Sequence, residues 1–325
     1  MRTKMKRHVC LAAILALTVG ASLGLAQGRG QGAGSGGNNN NAGMPWEALR
    51  AGMLVKWDDV PRSQQKTEPF KIFDNVAYVG LETVGAYLIT TSDGLILIDA
   101  TYADSADHVL ESVRKLGADP ARIKYIIVTH GHNDHFAGAG RIKQATGARI
   151  AMSAEDWTLV ERLFSGTGGD NGMPFTRDLV LKDDDTLKLG DTNLKFHVLP
   201  GHTPGNVGTE IQARDGRRTY RALVGLAFAP APGLTEASIK TTERLKQLGP
   251  WDALLTSHPY LAPVPIPLTA REIFLGVAPA AVKKQTSHPA AAGAEYINAY
   301  FDTILTAVRE RLAREKASSA SRPTQ

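Results

Sequence analysis

Cysteine is almost absent from this sequence, since the 325 residues contain only Cys10. A chain with one cysteine cannot form an intramolecular disulfide, and after the first few residues it has no thiolate with which to attack a substrate or bind a metal. Aromatic residues are also few, at 6%, whereas 43% of the residues are hydrophobic and 21% are charged. This composition excludes a disordered or fibrous chain and is typical of a globular protein.

Basic charge is in excess only at the amino terminus. The formal net charge is +5, but four of the 37 basic residues lie at positions 2, 4, 6 and 7, and residues 1–26 contain no Asp or Glu. The rest of the chain therefore carries only +1. Such a nearly neutral body lacks the electrostatic footprint of a nucleic-acid-binding protein, and we expect no nucleic-acid partner.

One long apolar run follows the basic start and extends from Val9 to Ala26. A basic start, an apolar run and small residues at its end are typical of a secretory signal peptide. We therefore predict a signal at residues 1–26, a periplasmic or secreted location, and no membrane association after cleavage. About 18 apolar residues are also the lower limit for a membrane span, so an uncleaved anchor is the alternative.

Composition divides the rest of the chain into three segments. Residues 27–45 are rich in Gly and Asn and predict a flexible linker, residues 46–316 predict one hydrolase domain, and the polar residues 317–325 predict a disordered tail. Strands are predicted at 76–79, 86–90, 95–98, 125–128, 149–151, 186–189, 194–199, 207–213, 219–224 and 253–255, and helices at 105–116, 136–146, 236–248 and 294–314. Strand-rich halves that are each followed by helices indicate an α/β fold, a four-layer αββα sandwich.

Chemically active side chains are concentrated after one predicted strand. His130, His132, Asp134 and His135 directly follow the apolar residues 125–128. On an extended segment, side chains two residues apart share a face and lie roughly 6 to 7 Å apart, so His130 and His132 can bind one cation. Imidazole nitrogens and carboxylate oxygens suit zinc, and a pair of zinc ions that share a water needs about six such ligands.

Two further histidines complete a set of six ligands. His202 lies in the rigid turn LPGHTPG at 199–205, and His258 follows the predicted strand 253–255. His197 is expected to point outward from its strand. The other histidines, which we do not expect to bind metal, are His8, His108 and His288.

These motifs resemble those of the metallo-β-lactamase superfamily. The resemblance rests on HGHNDH at 130–135, PGHTPG at 200–205 and SHP at 257–259, and it extends from about residue 69 to residue 314. It implies the metallo-β-lactamase fold, and the six ligands without sulfur resemble those of subclass B3. By this resemblance one zinc ion is held by His130, His132 and His202, and a second by Asp134, His135 and His258.

The resemblance also implies roles for other residues and an activity. Asp99 is similar to a buried aspartate that orients a metal ligand. The expected function is that of an exported B3-type β-lactamase, an antibiotic-resistance enzyme for small-molecule substrates. It would open the β-lactam amide with a zinc-bound hydroxide that Asp134 helps to hold. Many superfamily members have a bridging Asp near positions 224–227, and B3 enzymes often have a serine there. This chain has Leu226, which we expect to line the substrate site and to weaken binding of a substrate carboxylate.

Two other functions stay open at this point. One is that of another hydrolase of the same fold, acting on a lactone, a thioester or a related small carbonyl compound. The missing bridging Asp counts against the commonest lactonase and glyoxalase types. The other is that of a periplasmic zinc-binding protein without catalysis.

Overall fold

The computed structural model of the protein describes residues 61–166, 170–259, 288 and 290–320. The predicted signal peptide, the predicted linker and residues 46–60 of the predicted domain lie outside the described residues, as do residues 321–325 of the predicted tail. Within the described ranges, no helix combines the length and the apolar character that crossing a membrane requires.

Seven strands form the first sheet, in which they lie in sequence order. Neighbouring strands pair antiparallel from β1 to β4 and parallel from β4 to β7. Parallel neighbours need crossover connections, and helices supply them. The strands are β1 (Phe70–Phe73), β2 (Val76–Tyr78), β3 (Tyr87–Thr91), β4 (Gly94–Ile98), β5 (Ile123–Ile127), β6 (Arg149–Ser153) and β7 (Leu179–Leu181); the helices are α1 (Ala106–Lys115), α2 (Asn133–Phe136), α3 (Ala139–Thr146) and α4 (Ala154–Ser165).

Five strands form the second sheet in the order β12-β11-β10-β9-β8. The strands from β8 to β11 pair antiparallel, as hairpins do, whereas β11 and β12 pair parallel across a helical connection. The strands are β8 (Thr186–Leu189), β9 (Thr192–Val198), β10 (Val207–Asp215), β11 (Arg218–Leu226) and β12 (Ala253–Thr256); the helices are α5 (Thr235–Leu248) and α6 (Ala294–Ala320).

Alternating apolar side chains give each sheet two buried faces. Ile98 and Val224 belong to a core between the two sheets. Leu97 packs with Val109 and other residues of α1 to α4 on the outer face of the first sheet. Leu223 belongs to a third core, between the second sheet and the helices α5 and α6. The predicted four-layer αββα sandwich is therefore confirmed.

The predicted helix 136–146 begins later in the structure, because α2 ends at Phe136 and α3 starts only at Ala139, after a break near Gly138. The backbone N–H of Gly138 donates to the carbonyl of Thr101 at 3.1 Å rather than to a helical carbonyl. A Cβ atom at position 138 would lie only 2.1 Å from the carbonyl oxygen of Ala100. This close contact with the chain after β4 requires glycine and interrupts the helix.

The last helix is longer than predicted. It was predicted to end at Arg314 but continues to Ala320, so residues 317–320 of the predicted tail are helical. The hydroxyl of Ser319 donates to the carbonyl of Glu315 at 2.9 Å, one helical turn back. The strands β1 and β7 and the helix α4 were not predicted at all.

The expectation that His197 points outward is wrong. Its side chain is fully buried, and Nε2 lies 2.9 Å from the Glu210 carboxylate on the adjacent strand β10. The same carboxylate binds Arg221 at 2.7 Å. Burial of the imidazole is tolerated because it is hydrogen-bonded to a charged partner.

Candidate metal centre

Six ligand side chains converge from the ends of three strands. His130, His132, Asp134 and His135 follow β5, His202 follows β9, and His258 follows β12. They form two groups, and within each group the potential ligand atoms all lie within 4.8 Å of one another. The first group is His130, His132 and His202; the second group is Asp134, His135 and His258. The structure thus brings together all six residues in the two sets that the resemblance implied.

The two groups are immediate neighbours. The ring centroids of His130 and His135, one from each group, are 4.1 Å apart. Within the second group, Nε2 of His135 lies 3.2 Å from Oδ2 of Asp134 and 3.3 Å from Nε2 of His258. Two metal ions at these groups would therefore be close enough to act on one substrate.

Backbone carbonyls fix the orientation of two histidines. Nδ1 of His202 donates to the carbonyl of Ala229 at 2.7 Å, and Nδ1 of His258 donates to the carbonyl of Thr83 at 2.8 Å. A carbonyl oxygen can only accept, so each Nδ1 carries the proton. Nε2 of a neutral ring is then left with the lone pair that a metal requires.

Asp99 supports one group directly and the other through an intermediate residue. It directly follows β4 and has a left-handed φ of 60°, which is uncommon for a residue other than glycine. Its Oδ2 atom lies 2.8 Å from Nδ1 of His135 and accepts a hydrogen bond from the Thr129 hydroxyl at 2.8 Å. The Thr129 oxygen lies 2.9 Å from Nδ1 of His130. Asp99 therefore orients His135 directly and His130 through Thr129.

The first group has the character of an uncharged set of nitrogen ligands. Burial and the neighbouring histidines hold the pKa of His130 well below its usual range and lower the pKa of His202 to about 3. Within the part of the chain that the structure describes, the buried Nε2 atoms of His130 and His202 have no hydrogen-bond partner. An unpaired buried nitrogen is costly, and a metal ion would satisfy both atoms, so these residues fit a zinc site.

The second group contains an internal ion pair. Burial alone would lower the pKa of His135, but the carboxylates of Asp134 and Asp99 outweigh it and raise this pKa to about 10. Burial likewise opposes ionisation of Asp134, yet His135 and His258 hold the pKa of that carboxyl well below its usual value. A positive charge is therefore favoured between the two carboxylates, and the donor set of two nitrogens and one oxygen also fits zinc.

Sequence reasoning missed Asp156, a fully buried carboxylate on the first turn of α4. It accepts hydrogen bonds from the backbone N–H of Gly131 at 3.0 Å, from the hydroxyl of Thr203 at 2.6 Å and from the backbone N–H of Gly205 at 3.1 Å. Burial raises its pKa against the effect of these three donors. The sequence did contain a signal for α4, because serine is a preferred residue at the start of a helix. In the structure the Ser153 side chain caps α4 by accepting from the backbone N–H of Asp156.

The expectation that Leu226 lines the substrate site requires correction. Its side chain is 2% exposed and packs with Leu199 and Leu223 in the core beneath the helices α5 and α6. A side chain buried in this way offers almost no surface to a substrate. Residues 224–227, at the end of β11, also supply no ligand. They are Val224, Gly225, Leu226 and Ala227, and none of these side chains has an atom that can bind a metal.

Known proteins share this fold. A model of the metallo-β-lactamase superfamily matches residues 79–216. A subclass B3 metallo-β-lactamase of Bradyrhizobium japonicum is 28% identical with a TM-score of 0.64, and the similarity covers 79% of this chain and 98% of that one. A metallo-β-lactamase from Novosphingobium pentaromativorans is 26% identical with a TM-score of 0.66, covering 78% of this chain and 93% of that one.

Curated relatives match over shorter regions. A hydroxyacylglutathione hydrolase of Acidiphilium cryptum is 28% identical over 54% of this chain and 64% of its own length. A probable metallo-hydrolase of Burkholderia pseudomallei is 35% identical over 38% of this chain and 44% of its own length. This chain thus spans less than two thirds of either relative. Together with the solved structures, these matches confirm the resemblance to the metallo-β-lactamase superfamily and its fold.

Proposed function

We propose that this chain, which has the metallo-β-lactamase fold, is an exported di-zinc β-lactamase of the B3 type. The observation that carries the proposal is the pair of ligand groups, which together offer five histidines and one aspartate and no sulfur. The similarity to the B3 enzyme of Bradyrhizobium japonicum, which extends over most of both chains, supports this assignment.

The ligand groups would each hold one zinc ion, the first through three imidazoles and the second through Asp134 and two imidazoles. Bound zinc ions would supply a water of lowered pKa as the nucleophile and would polarise the carbonyl of the substrate. The mature protein would act on small molecules and would need neither a nucleic acid nor a membrane.

The chain itself provides a carboxylate and a rigid frame for this chemistry. His135 and His258 hold the pKa of Asp134 well below its usual value, which favours the carboxylate form that could accept a hydrogen bond from a water molecule at the site. His135 is held by Asp99, and His202 by the carbonyl of Ala229. Groups that are already oriented need no rearrangement as the reaction proceeds, which is the main source of electrostatic catalysis.

A second candidate is a thioesterase of the same fold. The hydroxyacylglutathione hydrolase relatives favour it, and the two ligand groups would suit any acyl carbonyl. Amide and thioester hydrolysis differ in the leaving group rather than in the attack on the carbonyl. The two activities can therefore be distinguished only by comparing the turnover of an amide substrate with that of a thioester substrate.

Turnover of a chromogenic cephalosporin and of a glutathione thioester by the same zinc-loaded preparation separates the candidates. We expect the cephalosporin to be hydrolysed much faster, and His202→Ala to abolish this turnover. Faster thioester cleavage would support the second candidate. Two bound zinc ions with no turnover of either substrate would indicate a zinc-binding protein without catalysis.

Export is a separate part of the proposal and rests on the signal pattern of residues 1–26. In a sensitive Gram-negative host, the full chain should raise the inhibitory concentration of a β-lactam, and the mature protein should begin at Gln27 in the periplasmic fraction. A chain that stays in the cytoplasm at full length would contradict this part and leave the chemistry unaffected.

A further inference from the structure

The fully buried carboxylate of Asp156 joins the two loops that carry the first ligand group. We propose that Asp156 is a positioning residue that sets the metal affinity of the first group and leaves that of the second group unchanged. The inference deepens the proposed function and rests on its two-metal site.

One oxygen atom of Asp156 contacts both loops. Oδ2 accepts from the backbone N–H of Gly131 at 3.0 Å and from the hydroxyl of Thr203 at 2.6 Å. Gly131 lies between the ligands His130 and His132, and Thr203 directly follows the ligand His202. The three histidines of the first group are therefore adjacent in sequence to donors that share one acceptor atom.

The loops also press closely against the helix that carries Asp156. Its Oδ1 atom accepts from the backbone N–H of Gly205 at 3.1 Å. A Cβ atom on Gly205 would lie 2.1 Å from the Ser153 hydroxyl, and one on Gly131 would lie 2.9 Å from a methyl carbon of Leu159. Both loops therefore need glycine to reach Asp156 at hydrogen-bond distance.

The helix α4 provides a fixed support for this carboxylate. Trp157, the next residue, is fully buried in the core of the first sheet, and its indole N–H donates to the carbonyl of Leu179 at 2.8 Å. Because the helix cannot shift easily, the carboxylate defines the distance between the two loops. Partners that orient ligands in this way typically change metal affinity by 10- to 100-fold.

The second group is oriented by other acceptors. Asp99 accepts from His135, and the carbonyl of Thr83 accepts from His258. Loss of the Asp156 carboxylate leaves both of these contacts in place. This difference predicts that the two groups respond separately to a substitution at position 156.

Asp156→Asn is an informative test because the asparagine side chain has nearly the same shape as that of aspartate. An amide has one oxygen acceptor and one NH₂ donor, so either Gly131 or Gly205 must face a donor whichever way the amide is turned. To assign the affinities, the substitution is introduced into two full-length backgrounds that each keep one group. His258→Ala leaves the first group intact, and His202→Ala leaves the second.

Zinc titration by calorimetry measures the zinc affinity of the group that remains in each background. The cobalt(II) absorption spectrum is a second readout. We expect Asp156→Asn to weaken binding at least tenfold in the His258→Ala background and less than twofold in the His202→Ala background. Asp252→Asn is the matched control, because Asp252 also accepts a backbone N–H, that of Arg221 at 2.8 Å, and should change neither affinity.

A second variant keeps the inference testable if Asp156→Asn does not fold. Thr203→Val removes one donor, retains the carboxylate and should give a smaller loss confined to the first group. Equal losses in both groups, or a lowered melting temperature with both affinities unchanged, would overturn the inference. A wild-type protein that binds no zinc would instead overturn the proposed function itself.

Discussion

The two ligand groups lie side by side but differ in charge. In the first group, burial and the neighbouring histidines keep His130 and His202 neutral. In the second group, His135 lies between Asp134 and Asp99, and these carboxylates raise its pKa to about 10 in spite of burial. The first group can therefore accept a metal without releasing a proton from these two rings, whereas the second must first lose the proton of His135.

The groups also differ in what supports them. The first depends on Asp156, which lies on the helix α4 and connects two loops. The second depends on Asp99 at the end of a strand and on a backbone carbonyl. Asp156 is thus proposed to support the first group alone, whereas Asp99 supports the second group directly and the first group through Thr129.

Asp134→Asn should have the largest effect, because it removes a ligand of the second group together with the negative charge that this ligand offers to a metal ion. We expect the second group to lose its zinc and turnover to fall by at least about 100-fold, since outer partners of ligands alone account for 10- to 100-fold. Elemental analysis should find close to one zinc ion per chain. Two retained zinc ions with unchanged turnover would contradict the role of Asp134.

Asp99→Asn should come next and should affect both groups. His135 loses its charged partner directly, and His130 loses the fixed acceptor behind Thr129. We expect about 10- to 100-fold weaker zinc binding at each group. Calorimetric titration checks this, and a loss confined to one group would show that the Thr129 contact does not transmit the effect of Asp99.

The pH dependence of zinc binding should differ between the groups. Below pH 10, zinc must displace the proton of His135, so each unit of falling pH should weaken the second group by up to about tenfold more than the first. The sign follows from the raised pKa, which favours the protonated and metal-free form as pH falls. Titrations of His258→Ala and His202→Ala between pH 6 and 8 measure the two slopes, and equal slopes would contradict the charge difference.

Leu226→Ser should have the smallest effect on either group. Because Leu226 packs in the helix-side core, the substitution removes buried methyl groups and places a hydroxyl there, which should cost about 3 kcal/mol of unfolding free energy. Chemical denaturation measures this cost, and zinc affinities and the KM for a cephalosporin should stay within about twofold. A KM lowered tenfold without loss of stability would instead indicate that residue 226 faces the substrate.

Much of the fold could be predicted from the sequence. Runs such as 95–98 and 125–128 have the apolar pattern of buried strands, and the structure has strands at both. The histidine cluster after β5 was evident from the sequence because all of its ligands lie close together in the chain, within residues 130–135. The six ligands are brought together through the ends of β5, β9 and β12, which the fold resemblance already implied.

Other features could not be predicted because their causes are not local. The role of Asp156 depends on donors 25 to 49 positions away in the chain. The break at Gly138 depends on the backbone of Ala100 and Thr101, and the burial of His197 depends on Glu210 in a neighbouring strand. In each case a residue that is ordinary within its own segment acquires its role from a distant contact.

Diffraction from crystals of the zinc-loaded protein, measured on both sides of the zinc absorption edge, tests the central claim most directly. We predict two anomalous peaks, one among the nitrogens of His130, His132 and His202, and one among the ligand atoms of Asp134, His135 and His258. No peak, or a single peak bound by residues outside these two groups, would contradict the account.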